Sequence, residues 1–256
     1  MLSHFGKKQK GKVDSHRPPT PPFKPPVTAA ASATGSRVPV EAMSSVVKVY
    51  NASVSTDYMR PWTKMEGETC SGSGCAIEGS YILTNSHVVR DHQLLQVQRH
   101  DRPGKWLARV LVEGVQCDLA LLTVDDARFW EDLPLQACIE SLPVLQQVVT
   151  AIGYPLGGEN LCVTRGVVSR IDLLDYTFLN QVAGERLLVL QIDAAINSGN
   201  SGGPVFDDEG HVVGVAFAGL DEADNIGYVI PMSTKIGRER ARPASFLHDV
   251  LPISPL

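Results

Sequence analysis

The sequence predicts an all-β fold, because short apolar runs alternate with turn residues from residue 45 onward. Turn-forming segments stand between some of these runs, EGS at residues 78–80 and DDEG at residues 207–210. No long stretch of helical periodicity interrupts the series. A barrel or sandwich of short strands is therefore expected, and a βαβ fold is not. The predicted strands cover residues 45–50, 74–77, 81–84, 94–98, 144–152, 162–171, 187–192, 211–218 and 226–230.

The composition suits a globular protein with an acidic body. The chain has 256 residues, 43% hydrophobic and 20% charged, enough to bury a sizeable core. Residues 1–37 carry seven Lys or Arg and one acid, a net charge of +6, whereas the remainder carries sixteen bases and 27 acids, a net charge of −11. An acidic body offers no electrostatic footprint for nucleic acid, so nucleic acid is not an expected partner.

The two ends of the chain differ from its centre. Residues 1–40 are predicted to be a disordered leader, because a lysine cluster is followed by six prolines between residues 18 and 26. This composition suits an organelle transit peptide and equally nuclear import, so we expect an intracellular location in the nucleus, a plastid or a mitochondrion. No apolar stretch approaches the length of a membrane span, about 18 residues, so no membrane partner is expected. Residues 232–256 are predicted to be an irregular tail.

The cysteines give no sign of a metal site or of a disulfide framework. The five cysteines form no CxxC pair, and no close Cys/His cluster has zinc-ligand spacing. We therefore expect free thiols in a reducing compartment, with no metal and no cofactor.

The segment DAAINSGNSGGP, residues 193–204, has the composition of a turn that presents a nucleophile. A nucleophilic serine needs its hydroxyl on a tight turn, with backbone N–H groups aimed at the developing oxyanion. Gly199 and Gly202 permit such a turn around Ser201, and the N–H groups of Gly199 and Ser201 are the candidate oxyanion donors. Taken alone, the segment also suits a glycine-rich loop without chemistry.

Two further segments supply the partners that a nucleophilic serine needs. TNSHVV, residues 84–89, places His87 at the end of an apolar strand as the candidate general base. DLALL, residues 118–122, places Asp118 at the head of an apolar strand, where a buried carboxylate needs a partner. A carboxylate on the second imidazole nitrogen holds the tautomer that accepts the serine proton. A lone histidine in such a setting is more often structural, and the aspartate by itself also suits an exposed turn at the start of a strand.

Taken together, TNSHVV, DLALL and DAAINSGNSGGPV resemble the Deg/HtrA serine proteases in sequence and in order along the chain. The resemblance implies a chymotrypsin-like double six-stranded antiparallel β-barrel over residues 41–231, with barrels at about 41–133 and 134–231. It implies an active site between the barrels and unfolded or damaged proteins as substrates. It also suggests a homotrimer formed by N-terminal contacts, for which Tyr50, Tyr58 and Trp62 offer aromatic side chains.

The sequence departs from related proteases at several points. Asn200 stands where digestive enzymes of the fold carry an Asp that pairs with a new N-terminus, so control by surface loops is expected instead. No PDZ domain is expected in residues 232–256. Val215, Phe217 and Ala218 are the candidate walls of the specificity pocket, for a medium apolar residue before the cut.

The alternative function is a catalytically silent, chaperone-like binding module on the same fold.

Overall fold

The computed structural model describes residues 38–54, 59–60, 62, 67–138, 142–155, 158–175, 186–219 and 226–232. The strands within these residues form two antiparallel sheets, which confirms the all-β prediction. Most of the leader predicted for residues 1–40 and of the tail predicted for residues 232–256 lies outside the described residues.

The two edge strands of the first sheet are joined by the chain itself, so the sheet closes into a barrel. Its strand order is β5-β4-β1-β2-β3-β7-β6. The two outer strands are consecutive in sequence, separated by Ala108 alone, whose N–H donates to the Leu95 carbonyl at 3.0 Å. The seven strands therefore correspond to a six-stranded barrel with one strand interrupted. They are β1 (Val46–Ser53), β2 (Glu68–Ile77), β3 (Tyr81–Thr84), β4 (His92–Arg99), β5 (Trp106–Leu107), β6 (Arg109–Gly114) and β7 (Leu119–Thr123).

The second sheet is a closed six-stranded barrel of order β10-β13-β12-β11-β8-β9. The double-barrel class implied by the family resemblance is thereby confirmed. The linking segment contacts both sheets, because Gln136 pairs with Ile77 and Cys138 pairs with Val212. The barrel strands are β8 (Val148–Gly153), β9 (Cys162–Asp175), β10 (Arg186–Ile192), β11 (Pro204–Phe206), β12 (Val212–Gly219) and β13 (Gly227–Pro231).

The helices of the described residues are short: α1 (Val40–Ser44), α2 (Ser86–Val89), α3 (Ala127–Trp130) and a 3₁₀ turn, Val115–Cys117. None of them is long and apolar enough to cross a membrane.

The predicted hairpin turns do join β2 to β3 and β11 to β12. Gly79 and Gly210 occupy them with φ of 87° and 90°, a conformation that glycine adopts without strain.

Strands at the junction of the barrels are buried on both faces. In β7, Ala120 and Leu122 fill the first barrel, whereas Leu119 and Leu121 belong to a cluster shared with the second barrel. The same alternation occurs in β12, where the side chains pack in turn against the shared cluster and against the interior of the second barrel. This explains why β7 reads as a continuous apolar run rather than as an apolar-polar alternation.

Phe129 provides a test of packing in the first barrel. Its fully buried ring makes edge-to-face contacts with Trp106 and Trp130, at centroid distances of 5.4 and 4.8 Å. We expect Phe129→Ala to lower the free energy of unfolding by about 3–5 kcal/mol, measured by urea denaturation. Leu107→Ala is the control, because Leu107 is 67% exposed and should change stability by about 0.5 kcal/mol or less. Equal losses for both variants would contradict this description.

Candidate active site

His87 and Asp118 are paired in the first barrel. The Nδ1 atom of His87 lies 2.7 Å from Oδ2 of Asp118, and the backbone N–H of His87 donates to Oδ1 at 2.9 Å. The side chain of Asp118 is fully buried and that of His87 is 28% exposed. A carboxylate only accepts, so Nδ1 carries the proton in this contact, and Nε2 is the proton acceptor in the neutral imidazole.

The local backbone explains how Asp118 reaches this position. Asp118 follows the 3₁₀ turn in the left-handed conformation, with φ of 53°, which Asp tolerates better than most residues. Its carbonyl oxygen accepts from Nδ2 of Asn85 at 2.8 Å and from the N–H of Ser86 at 3.2 Å. The end of β3 and the start of β7 are therefore tied together around the carboxylate.

Ser201 lies in a tight turn between β10 and β11. Gly199 and Gly202 have φ of 97° and 84°, so both predicted glycine positions require glycine. A Cβ at Gly202 would also overlap the Ser73 carbonyl oxygen and the Thr84 hydroxyl. The hydroxyl of Ser201 donates to the carbonyl oxygen of Phe217 at 3.3 Å.

This turn is hydrogen-bonded to the first barrel by Ser73, in β2. The N–H of Ser73 donates to the Ser201 carbonyl at 2.8 Å, and its hydroxyl donates to the Gly199 carbonyl at 2.8 Å. Thr84, three residues before His87, donates to the Ser73 carbonyl at 2.7 Å. Ser73 lies outside the motifs recognised in the sequence, because a small hydroxyl residue in a strand carries no distinguishing signal. Thr84 is the first residue of the TNSHVV motif, but its bond to Ser73 was not predicted.

Asn200 is buried beside the candidate nucleophile. It is 3% exposed, and its side-chain oxygen has no hydrogen-bond donor within the described residues. Its backbone N–H donates to the Asn197 carbonyl at 2.9 Å, which tightens the turn.

The candidate pocket residues lie in β12. The side chains of Val215 and Phe217 are 1% and 2% exposed and belong to the cluster shared by the two barrels. A β-bulge between Ala216 and Ala218 interrupts the pairing with β13, next to the Phe217 carbonyl that accepts from Ser201. Phe217 therefore reaches the candidate nucleophile through its backbone.

Tyr50, which the sequence suggests for a trimer contact, makes contacts within the chain. Its hydroxyl lies 2.8 Å from Oε1 of Gln98 and 3.0 Å from Oε2 of Glu159, two acceptors that share its one proton. Partial burial and the neighbouring Glu159 carboxylate raise its pKa to about 12. Trp62 is 82% exposed, and Tyr58 lies outside the described residues.

All five cysteines are free thiols. Burial raises the pKa of both Cys75 and Cys138, that of Cys138 to about 12. Because the thiolate is the reactive form, these two thiols are unsuited to nucleophilic chemistry at neutral pH. Cys117, beside Asp118, is also buried, and its thiol donates to the Gly114 carbonyl at 3.4 Å.

A family model described as trypsin-like peptidase domain matches residues 72–215, a span that contains His87, Asp118 and Ser201. The match covers more than half of the chain, so the chain belongs to the trypsin-like peptidases.

Curated relatives narrow this family further. The chain is similar to "Protease Do-like 2, chloroplastic" of Arabidopsis thaliana, with 46% identity over 192 residues, 74% of this chain and 31% of the relative. It is similar to "Protease Do-like 4, mitochondrial" of the same plant, with 43% identity over 204 residues, 79% of this chain and 38% of the relative. The resemblance to the Deg/HtrA proteases is thereby confirmed. The chain spans roughly a third of the length of these relatives.

Solved structures give the same result. The HtrA-type protease AlgW, solved with a decapeptide, has a TM-score of 0.62 at 25% identity, covering 75% of this chain and 61% of that chain. A protease from M. tuberculosis in its active form has a TM-score of 0.62 at 23% identity over 85% of each chain, which supports the fold.

The burial of Asn200 leads to a prediction about charge at this position. Asn200→Asp would place a carboxylate where the native side-chain oxygen has no donor. An uncompensated buried charge costs about 3–5 kcal/mol, so we expect a loss of that order in unfolding free energy at pH 7. Burial raises the pKa of the new carboxyl, so the loss should vanish below the unfolded pKa of about 3.9 and grow as pH rises above it.

Urea denaturation between pH 3.5 and pH 8 measures this effect. The control is Asn197→Asp, which makes the same change at an exposed position of the same turn and should stay within about 0.5 kcal/mol of the wild type. Equal stability of the two variants at pH 7 would show that position 200 tolerates a carboxylate.

Proposed function

We propose that this chain is a serine endopeptidase in which Ser201 is the nucleophile, His87 the general base and Asp118 the residue that orients the base. The observation that carries the proposal is the pairing of His87 with a fully buried Asp118, at 2.7 Å, on the barrel whose Ser73 is hydrogen-bonded to the Ser201 turn. The membership of the chain in the trypsin-like peptidases supports the same assignment.

The proposed reaction begins when the hydroxyl of Ser201 turns from the Phe217 carbonyl toward Nε2 of His87. Serine Oγ then attacks the substrate carbonyl carbon while His87 takes the hydroxyl proton. The imidazolium, stabilised by Asp118, gives that proton to the leaving amine as the peptide bond breaks. Water attacks the resulting acyl-enzyme with His87 again as base, which releases the acid and restores the Ser201 hydroxyl.

The N–H groups of Gly199 and Ser201 are proposed to stabilise the tetrahedral oxyanion. Among the residues that the structure describes, neither N–H donates to a protein acceptor, so both are available to a substrate oxygen. The turn that contains Ser201 is closed by a hydrogen bond from the N–H of Gly203 to the Asn200 carbonyl, at 2.9 Å. Donors that are already in place cost no reorganisation during the reaction.

We propose unfolded or damaged proteins as substrates. The backbone of β12 at Val215, Phe217 and Ala218 is proposed to form a wall of the specificity pocket for a medium apolar residue. The decapeptide in the AlgW structure supports peptides as the ligand class. We assign the protease domain to residues 41–231. An organelle is the proposed location, because the similar plant proteases are named chloroplastic or mitochondrial. The homotrimer remains a prediction. Activity should not require a new N-terminus, since Asn200 carries no charge to bind it.

Labelling with a fluorophosphonate probe tests the nucleophile. We expect the wild type to be labelled and Ser201→Ala to show no labelling, because the attacking oxygen is removed. Ser198→Ala, an exposed serine in the same turn, is the matched control and should be labelled like the wild type. Folded wild-type protein that takes no label, yet binds denatured protein, would favour the silent binding module.

The role of Asp118 predicts a large kinetic loss without loss of the fold. Asp118→Asn keeps the size of the side chain but no longer holds the tautomer of His87, so kcat on fluorescent casein should fall about 10³–10⁴-fold. Glu159→Gln, at an exposed carboxyl on the second barrel, should retain activity. A fall of less than about tenfold for Asp118→Asn would remove Asp118 from the catalytic set.

A further inference from the structure

Ser73 contacts both residues whose N–H groups are proposed to bind the oxyanion. Ser73 lies in β2 at 0% exposure. Its N–H donates to the carbonyl oxygen of Ser201, and its hydroxyl donates to the carbonyl oxygen of Gly199, both at 2.8 Å. A single residue of the first barrel therefore holds one peptide group next to each proposed oxyanion donor.

The direction of the Ser73 hydroxyl is set by its neighbours. The backbone N–H of Tyr154, just beyond β8 of the second barrel, donates to Ser73 Oγ at 2.8 Å. A backbone N–H only donates and a carbonyl oxygen only accepts, so the hydroxyl proton must be directed at Gly199. Thr84 holds the Ser73 carbonyl at 2.7 Å from the other side.

The orientation of the Gly199 carbonyl depends on its hydrogen bond, because Gly199 has φ of 97° and no side chain to restrict its rotation. The peptide group between Gly199 and Asn200 is held at both ends, by Ser73 at its oxygen and by the Asn197 carbonyl at its N–H, 2.9 Å away. Without the Ser73 hydroxyl, the oxygen end loses this bond, and Gly199 can rotate and turn its own N–H away from the oxyanion.

We propose that Ser73 is a positioning residue that aligns the oxyanion donors of the second barrel from the first barrel. The inference rests on the proposed serine endopeptidase activity and deepens it. Its effect is expected in the transition state, where the oxyanion forms, and not in the binding of the ground-state substrate.

The test compares Ser73→Ala with Ser45→Ala in the full chain. Ser45 is a matched control, because it is equally buried and donates to the Ala42 carbonyl at 2.6 Å, away from the Ser201 turn. The rate of fluorophosphonate labelling is measured together with kcat and KM on fluorescent casein and with the melting temperature. Ser73→Cys, whose thiol is a weak donor, provides a second variant if Ser73→Ala does not fold.

We expect Ser73→Ala to slow labelling and lower kcat by about ten- to a hundredfold, less than the loss of a direct oxyanion donor. KM should stay unchanged, and Ser45→Ala should keep the wild-type rates at a similar melting temperature. Equal rates for the Ser73 and Ser45 variants, or a change confined to KM, would overturn the role of Ser73. A wild type that takes no label would overturn the endopeptidase proposal itself and the inference with it.

Discussion

The buried carboxylate of Asp118 is the constraint around which the first barrel's part of the site is arranged. A charge without solvent exposure is costly unless its oxygens are matched by donors. His87 supplies donors to both oxygens, through its backbone N–H and its Nδ1. The orientation of the imidazole is therefore a direct consequence of burying Asp118. The left-handed backbone of Asp118 and the side chain of Asn85 hold the carboxylate where this is achieved.

The second constraint is the shared core between the barrels. Because β7 is apolar on both faces, one face packs within its own barrel and the other packs against the second barrel. This packing brings the His87–Asp118 pair and the Ser201 turn, which come from different barrels, to the same junction. The hydrogen bonds of Ser73 then fix the position of the Ser201 turn relative to the first barrel. Hydrophobic contacts alone do not fix it, because they are non-directional.

Much of the fold and of the candidate site was accessible from the sequence. The run at residues 81–84 was predicted with the bounds of β3, and the glycine-containing turns were predicted because a positive φ selects glycine. β11 (Pro204–Phe206) was not predicted, because a strand of three residues is too short to show periodicity. Val215 and Phe217 were predicted as pocket walls from their position after the turn, but a strand position alone did not reveal that their side chains belong to the core.

The order of amino acids was sufficient to nominate His87, Asp118 and Ser201, because the three segments that contain them occur together and in the order of the Deg/HtrA proteases. It was also sufficient for the strand-rich class, since alternation and turn chemistry are local properties. The tertiary structure determines which hydrogen bonds and packing contacts keep these three residues in place. The bond between Ser73 and Gly199 joins positions 126 residues apart, and a buried serine in a strand shows no local pattern that reveals its partner. Such contacts follow from how two barrels pack, which is a property of the assembled chain.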